Sequence, residues 1–136
     1  MQKKLNSDIY SGVLLENNSR YDKDAIKKAV DEFQKRLNEN DIYGVMSEDI
    51  SGTEGLNLQT PLSEISHKIK RVTFDEKTGN IIGEIELVDT MKGKLVKTLL
   101  KEQTDSSLRT VPRIVGYNRD KTNEVTDIIT FDIKLT

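Results

Sequence analysis

The stretch that most limits the fold comes last. In NEVTDIITFDIKL, residues 123–135, Val125, Ile129, Phe131, Ile133 and Leu135 recur at steps of two and four between polar neighbours. A step of two is the period of a strand, whose successive side chains point to opposite faces. One such strand is not stable alone. Its backbone needs neighbouring strands, and its apolar face needs cover.

The chain supplies both. DKDAIKKAVDEFQKRLNEN, residues 22–40, places Ala25, Ile26, Ala29, Val30, Phe33 and Leu37 at helical steps, with Asp22 or Asp24 as cap. Its Lys, Arg and Glu residues read as a solvated face. DTMKGKLVKTLLKEQ, residues 89–103, is a second helix, capped by Thr90 or Asp89, with Leu95, Val96, Leu99 and Leu100 as its expected buried stripe. A short strand is expected around IYSGVLL, within residues 5–15. IKRVTF and NIIGEIELV read as a hairpin about DEKTG, with Ile81, Ile85 and Leu87 on one face and Glu84 and Glu86 on the other. PLSEISH is expected to begin with a helical turn, Thr60 as cap and Pro61 at its first position. ENNSRYD (16–22) reads as a loop. Residues 47–63 are polar, contain Gly52 and Gly55, and form a loop longer than the usual four to six residues. The order β-α-loop-β-β-α-β-β predicts an α+β domain built on an antiparallel sheet.

With 136 residues, the chain is expected to form one domain, 1–136. Only 35% of it is hydrophobic and 5% aromatic, so the core is thin and a partner is expected to supply part of the order. A net charge of −2 lacks the basic excess of a nucleic-acid binder. No cysteine and a single histidine exclude disulfides, thiolate chemistry and a Cys/His zinc cluster. No apolar run approaches the roughly 18–20 residues of a membrane span. MQKKLNSDIY carries no apolar core of a signal peptide.

Candidate chemistry is sparse. His67 must serve any histidine-based site, yet it stands at the start of a strand near Ile65 and Ile69, where a structural polar residue is the default. Ser106 and Ser107 could be nucleophiles, although serines beside Thr104 and Asp105 read first as turn residues. Glu48, Asp49 and Glu54 do not match the ligand spacing of a calcium loop. The glycines form neither a P-loop nor a dinucleotide fingerprint. No metal and no cofactor is expected.

SSLRTVPRIVGY, residues 106–117, reads as a strand although Pro112 interrupts it. Taken in order, ENNSRYDKDAIKKAVDEFQKRLNENDIYGVMSED, ISHKIKRVTFDEKTGNIIGEIELVDTMKGKLVKTLL, VPRIVGY and IITFDI resemble the prohead (head-maturation) serine protease family of tailed phages. The resemblance covers roughly residues 10–133. It rests on the order and spacing of a Tyr-Gly stretch, a Ser-His strand, a helix opened by Asp-Thr, an Arg-containing nucleophile strand and a Phe-Asp-Ile strand. It implies a small β-barrel-like sheet flanked by helices, similar to the herpesvirus assembly protease.

The resemblance fails at the catalytic positions. Glu48 stands where the family has its histidine, and Val111 and Pro112 occupy the serine positions, while Arg113 and Gly116 match. A valine or proline side chain cannot attack a carbonyl, and serine catalysis needs a hydroxyl beside a base. A slipped alignment would instead place Ser106 or Ser107 as nucleophile with His67 as base. The resemblance thus implies a catalytically dead relative: an auxiliary or decoration protein of the phage head, made in the bacterial host cytoplasm and retained in the virion. Its expected partners are the major capsid protein and neighbouring copies of itself, with no nucleic acid and no membrane. Its N-terminal arm (1–15) and loop 47–63 are the expected contacts. The alternatives are an active maturation protease cleaving capsid or scaffold proteins, and a scaffold-associated binding module.

Overall fold

A computed structural model describes residues 2–3, 7–18, 21–47, 62–102, 108–119 and 122–135. The chain runs β1 (Gln2–Lys3), β2 (Ile9–Leu15), α1 (Lys23–Glu39), β3 (Tyr43–Ser47), a 3-10 turn (Leu62–Glu64), β4 (Ile65–Phe74), β5 (Ile81–Leu87), α2 (Met91–Glu102), β6 (Leu108–Arg119) and β7 (Thr122–Leu135). The fold class is α+β. The strands form one sheet in the order β1-β2-β5-β4-β3-β7-β6.

The sheet is mixed, which corrects the expected antiparallel one. β3 and β7 run parallel, with Met46 opposite Ile133 and Ser47 opposite Lys134. A parallel pair needs a long crossover, and here β4, β5, α2 and β6 all lie between the two strands in the chain. Tyr43–Ser47 is a strand that sequence reading did not single out, being only five residues long. The sheet curls into a half-barrel: at its far end, the Thr110 hydroxyl on β6 donates to the Leu14 carbonyl on β2 at 2.7 Å. Residues 9–15 of the expected arm thus belong to the sheet, and Tyr10 and Leu14 lie in its core. Most of the loop 47–63 lies outside the described residues, as do Thr60 and Pro61.

Both helices start as their sequences require. The Asp22 carboxylate accepts from the Ala25 N–H at 3.0 Å and caps α1. The buried stripe of α1 is Ile26, Ala29, Val30 and Phe33, and the helix lies over β4 and β7. Phe33 meets Phe131 of β7 edge-on, with centroids 5.5 Å apart. Thr90 caps α2: its hydroxyl accepts from the Gly93 N–H at 3.0 Å and donates to the Ile65 carbonyl at 2.5 Å. One side chain thereby closes the helix and ties it to β4. Gly93 is needed there, because a Cβ would run into the Val88 and Ser66 carbonyls. The expected α2 stripe is only partly buried. Val96 is fully covered and Leu99 and Leu100 are half-buried, but Leu95 is 38% exposed.

The β4–β5 hairpin follows its sequence. Ile81, Ile85 and Leu87 are buried. Its turn closes through Gly79, at φ +76°, whose N–H donates to the Asp75 carbonyl. β7 departs from strict alternation. Ile128 and Phe131, three residues apart, are both fully buried, whereas Ile129 is only half-buried. The cause is a bulge: Arg113 pairs with Thr130 and Ile114 with Ile128, so Ile129 is the extra residue and the inward phase shifts around it.

Candidate functional site

A second bulge brings two polar side chains together inside the core. On β3 and β4, Gly44 pairs with His67 and Val45 with Ile65, leaving Ser66 as the extra residue. Two consecutive side chains can then meet on one side of the strand. The Ser66 hydroxyl lies 2.7 Å from His67 Nδ1, and both residues are fully buried. His67 Nε2 lies 2.6 Å from the Phe131 carbonyl of β7, one strand beyond β3. A carbonyl only accepts, so Nε2 carries the proton and Nδ1 accepts from the serine. The ring passes over β3 because Gly44 has no side chain; a Cβ there would collide with His67 Nε2 and the Phe131 oxygen.

Beside the imidazole lies a buried ion pair. Arg113 of β6 donates from Nε and Nη2 to the two carboxylate oxygens of Asp132 on β7, at 2.8 and 2.9 Å. Asp132 also accepts from the Val45 N–H at 3.0 Å, and the Thr130 hydroxyl donates to the Tyr43 carbonyl at 2.8 Å. These bonds lace β3 to β7 where the parallel ladder is short. Burial pushes the His67 pKa from 6.5 down to about 4, against the upward pull of the Phe131 carbonyl and the Asp132 carboxylate. His67 is therefore a neutral imidazole at neutral pH.

The geometry also accounts for Pro112. It pairs with Phe131, whose carbonyl faces β3 and His67 rather than β6. In an antiparallel pair that makes Phe131 and Pro112 a non-hydrogen-bonded couple, so the proline nitrogen faces away from β7. β6 ends the sheet order, and a proline on its outer side costs the ladder no donor.

Among the sequence-predicted residues, His67 and Pro112 fall close together, each one contact from Phe131. Val111 is half-buried opposite Asp132. Glu48, Asp49, Glu54, Ser106 and Ser107 lie outside the described residues. Among the described residues, no three of His, Cys, Asp and Glu gather as metal ligands, and no helix is long and apolar enough to cross a membrane. The sequence marks His67 as a structural polar residue by default, but it does not give the Ser66 partner, the Arg113–Asp132 pair, or the role of Gly44. The available signal was an acid and a base at inward positions of two neighbouring strands.

Chemically, Ser66, His67 and the Phe131 carbonyl form a hydroxyl–imidazole–acceptor chain of the kind that activates a nucleophile. Here the hydroxyl and the ring are closed off from solvent, and the chain of bonds ties β4 to β7 across β3. Of the residues that carried the family resemblance, Tyr43, Gly44, Ser66, His67, Arg113, Phe131 and Asp132 are gathered here, and Asp89, Thr90 and Gly116 are not among these contacts.

A curled mixed sheet with two helices packed on it is an arrangement this chain shares with a solved phage protein. The bacteriophage T4 capsid assembly protease, gp21, shares it with a TM-score of 0.62 over 93% of this chain and 77% of that chain, at 10% sequence identity. No protein-family model matches this sequence, and no curated protein matches it. The likeness is one of fold.

Proposed function

We propose that this chain is a non-catalytic protein of a phage head, built on the capsid-protease fold and bound to the major capsid protein as an auxiliary or decoration subunit. The observation that carries the reading is the state of the only histidine. It is fully buried, neutral, and bonded through both ring nitrogens. A serine protease relying on histidine needs an imidazole that can reach both nucleophile and substrate. His67 can reach neither without breaking the link between β4 and β7. Val111 and Pro112, at the positions that resemble the nucleophile site, bring no replacement hydroxyl.

The test pairs two measurements. A fluorophosphonate probe should leave the protein unlabelled, and intact copies should be found by mass spectrometry in purified mature particles. Labelling abolished by Ser106→Ala or Ser107→Ala would establish an active protease instead, the reading favoured by the shared fold with a capsid assembly protease. Presence in precursor heads and loss from mature ones, without labelling, would make it a scaffold-associated module.

A further inference from the structure

We propose that the seam between β2 and β6 docks an extended, uncharged apolar peptide from a partner chain. Neighbouring strands in the sheet order are joined by backbone ladders. Between β2 and β6 the hydrogen bond among the described residues comes from a side chain, the Thr110 hydroxyl, which donates to the Leu14 carbonyl at 2.7 Å and approaches that of Val13 at 3.4 Å. The phase of the β6–β7 ladder, fixed by the Phe131 carbonyl, turns the backbone groups of Leu108 and Thr110 outward together with those of Pro112. Pro112 brings no N–H, so over residues 108–112 the outward backbone donors are those of Leu108 and Thr110. Such an edge recognises another backbone.

The seam opens into a cleft of about 720 Å³, within the roughly 300–1,000 Å³ typical of ligand sites. Leu15, Ile85 and Ile133 form its apolar floor, and Glu16 and Arg109 stand on its lining with opposite charges. That pairing gives no preference to a strongly acidic or basic segment. Val13 lines the cleft at 48% exposure, and its cross-strand partner Ile82 is 37% exposed, extending the apolar surface outward. A strand edge beside an aliphatic floor takes alternate side chains of an extended chain, which a small apolar molecule cannot match.

The inference deepens the partner-binding reading and rests on it, yet its test needs no capsid. The full chain, labelled with nitrogen-15, is titrated with a capped heptapeptide of alternating valine and threonine. Amide shifts should saturate at Leu108, Arg109, Thr110 and Val13. Val13→Asp and Ile82→Asp, both at exposed sites, should each weaken binding at least about tenfold without lowering the melting temperature, while Met91→Asp on exposed α2 surface should change nothing. Absent shifts, or shifts mapping elsewhere, overturn the proposal. So does binding of anilinonaphthalenesulfonate at the seam without peptide binding, which would mark a small-molecule pocket. Concentration-dependent self-association through β6 would make a second copy the occupant and overturn it too. Cleavage of the bound peptide would instead sink the non-catalytic reading and leave the docking intact.

Discussion

His67 and Phe131 lie 64 positions apart and are joined by a 2.6 Å hydrogen bond from the imidazole to a main-chain oxygen, across a strand whose facing residue is Gly44. The bond satisfies a carbonyl that the β6–β7 ladder leaves free, and it fixes the ring in one tautomer. Three strands depend on one ring, and the ring depends on the absence of one methyl group.

Gly44→Ala should therefore destabilise the fold by about 2 kcal/mol, within the range for forcing an extra carbon into a packed interior. Part of the clash is with the Phe131 main-chain oxygen, which cannot swing aside as a side chain can. His67→Ala should remove only the ring's share, so in a double-mutant cycle the two changes should couple and sum to less than their separate costs. Urea denaturation of the four proteins measures this, and strict additivity would show that the ring does not lie over Gly44.

The buried imidazole makes stability depend on pH. Its folded pKa of about 4 lies below its ordinary 6.5. Between these values the unfolded chain binds a proton that the folded chain refuses. Stability from this group is thus complete above about pH 6.5 and declines as pH falls toward 4, by about 3 kcal/mol in all at roughly 1.4 kcal/mol per pH unit. His67→Gln should flatten the unfolding free energy between pH 6.5 and 4.5. An unchanged slope in that variant would assign the dependence to carboxylates.

Arg113 and Asp132 are 4% and 8% exposed. Removing one partner leaves a buried charge, so Arg113→Leu should cost roughly 3–5 kcal/mol. The double change Arg113→Leu with Asp132→Asn should recover part of that loss, since the amide oxygen can still accept from Val45. Thermal melts of the single and double variants decide it; a double variant less stable than Arg113→Leu would mean that Asp132 has partners worth more than the pair itself.

Phe131→Ala should cost roughly 3–5 kcal/mol, the usual range for a buried aromatic, because it removes the edge-on contact with Phe33. Ile129→Ala should cost clearly less, and Ile128→Ala more than Ile129→Ala. The order of the two isoleucines tests the bulge, and the reverse order would restore simple alternation through β7.

Much of the architecture was legible in the sequence because it depends on local chemistry. Helical spacing and two capping side chains, Asp22 and Thr90, set α1 and α2. Alternation set β5 and the inward positions Phe131 and Ile133. The sequence also limited the chemistry by itself: with one histidine and no cysteine, any histidine-based site had to use His67. Tertiary structure alone decided the rest. No local pattern announces a parallel β3–β7 contact, since β4, β5, α2 and β6 separate its two strands along the chain. The bulges at Ser66 and Ile129 arise from unequal strand lengths between paired residues, so they turned the expected face of Ile129 and joined Ser66 to His67. What His67 Nε2 meets depended on what lay beyond Gly44, and only the placement of β7 beside β3 brought the Phe131 carbonyl there.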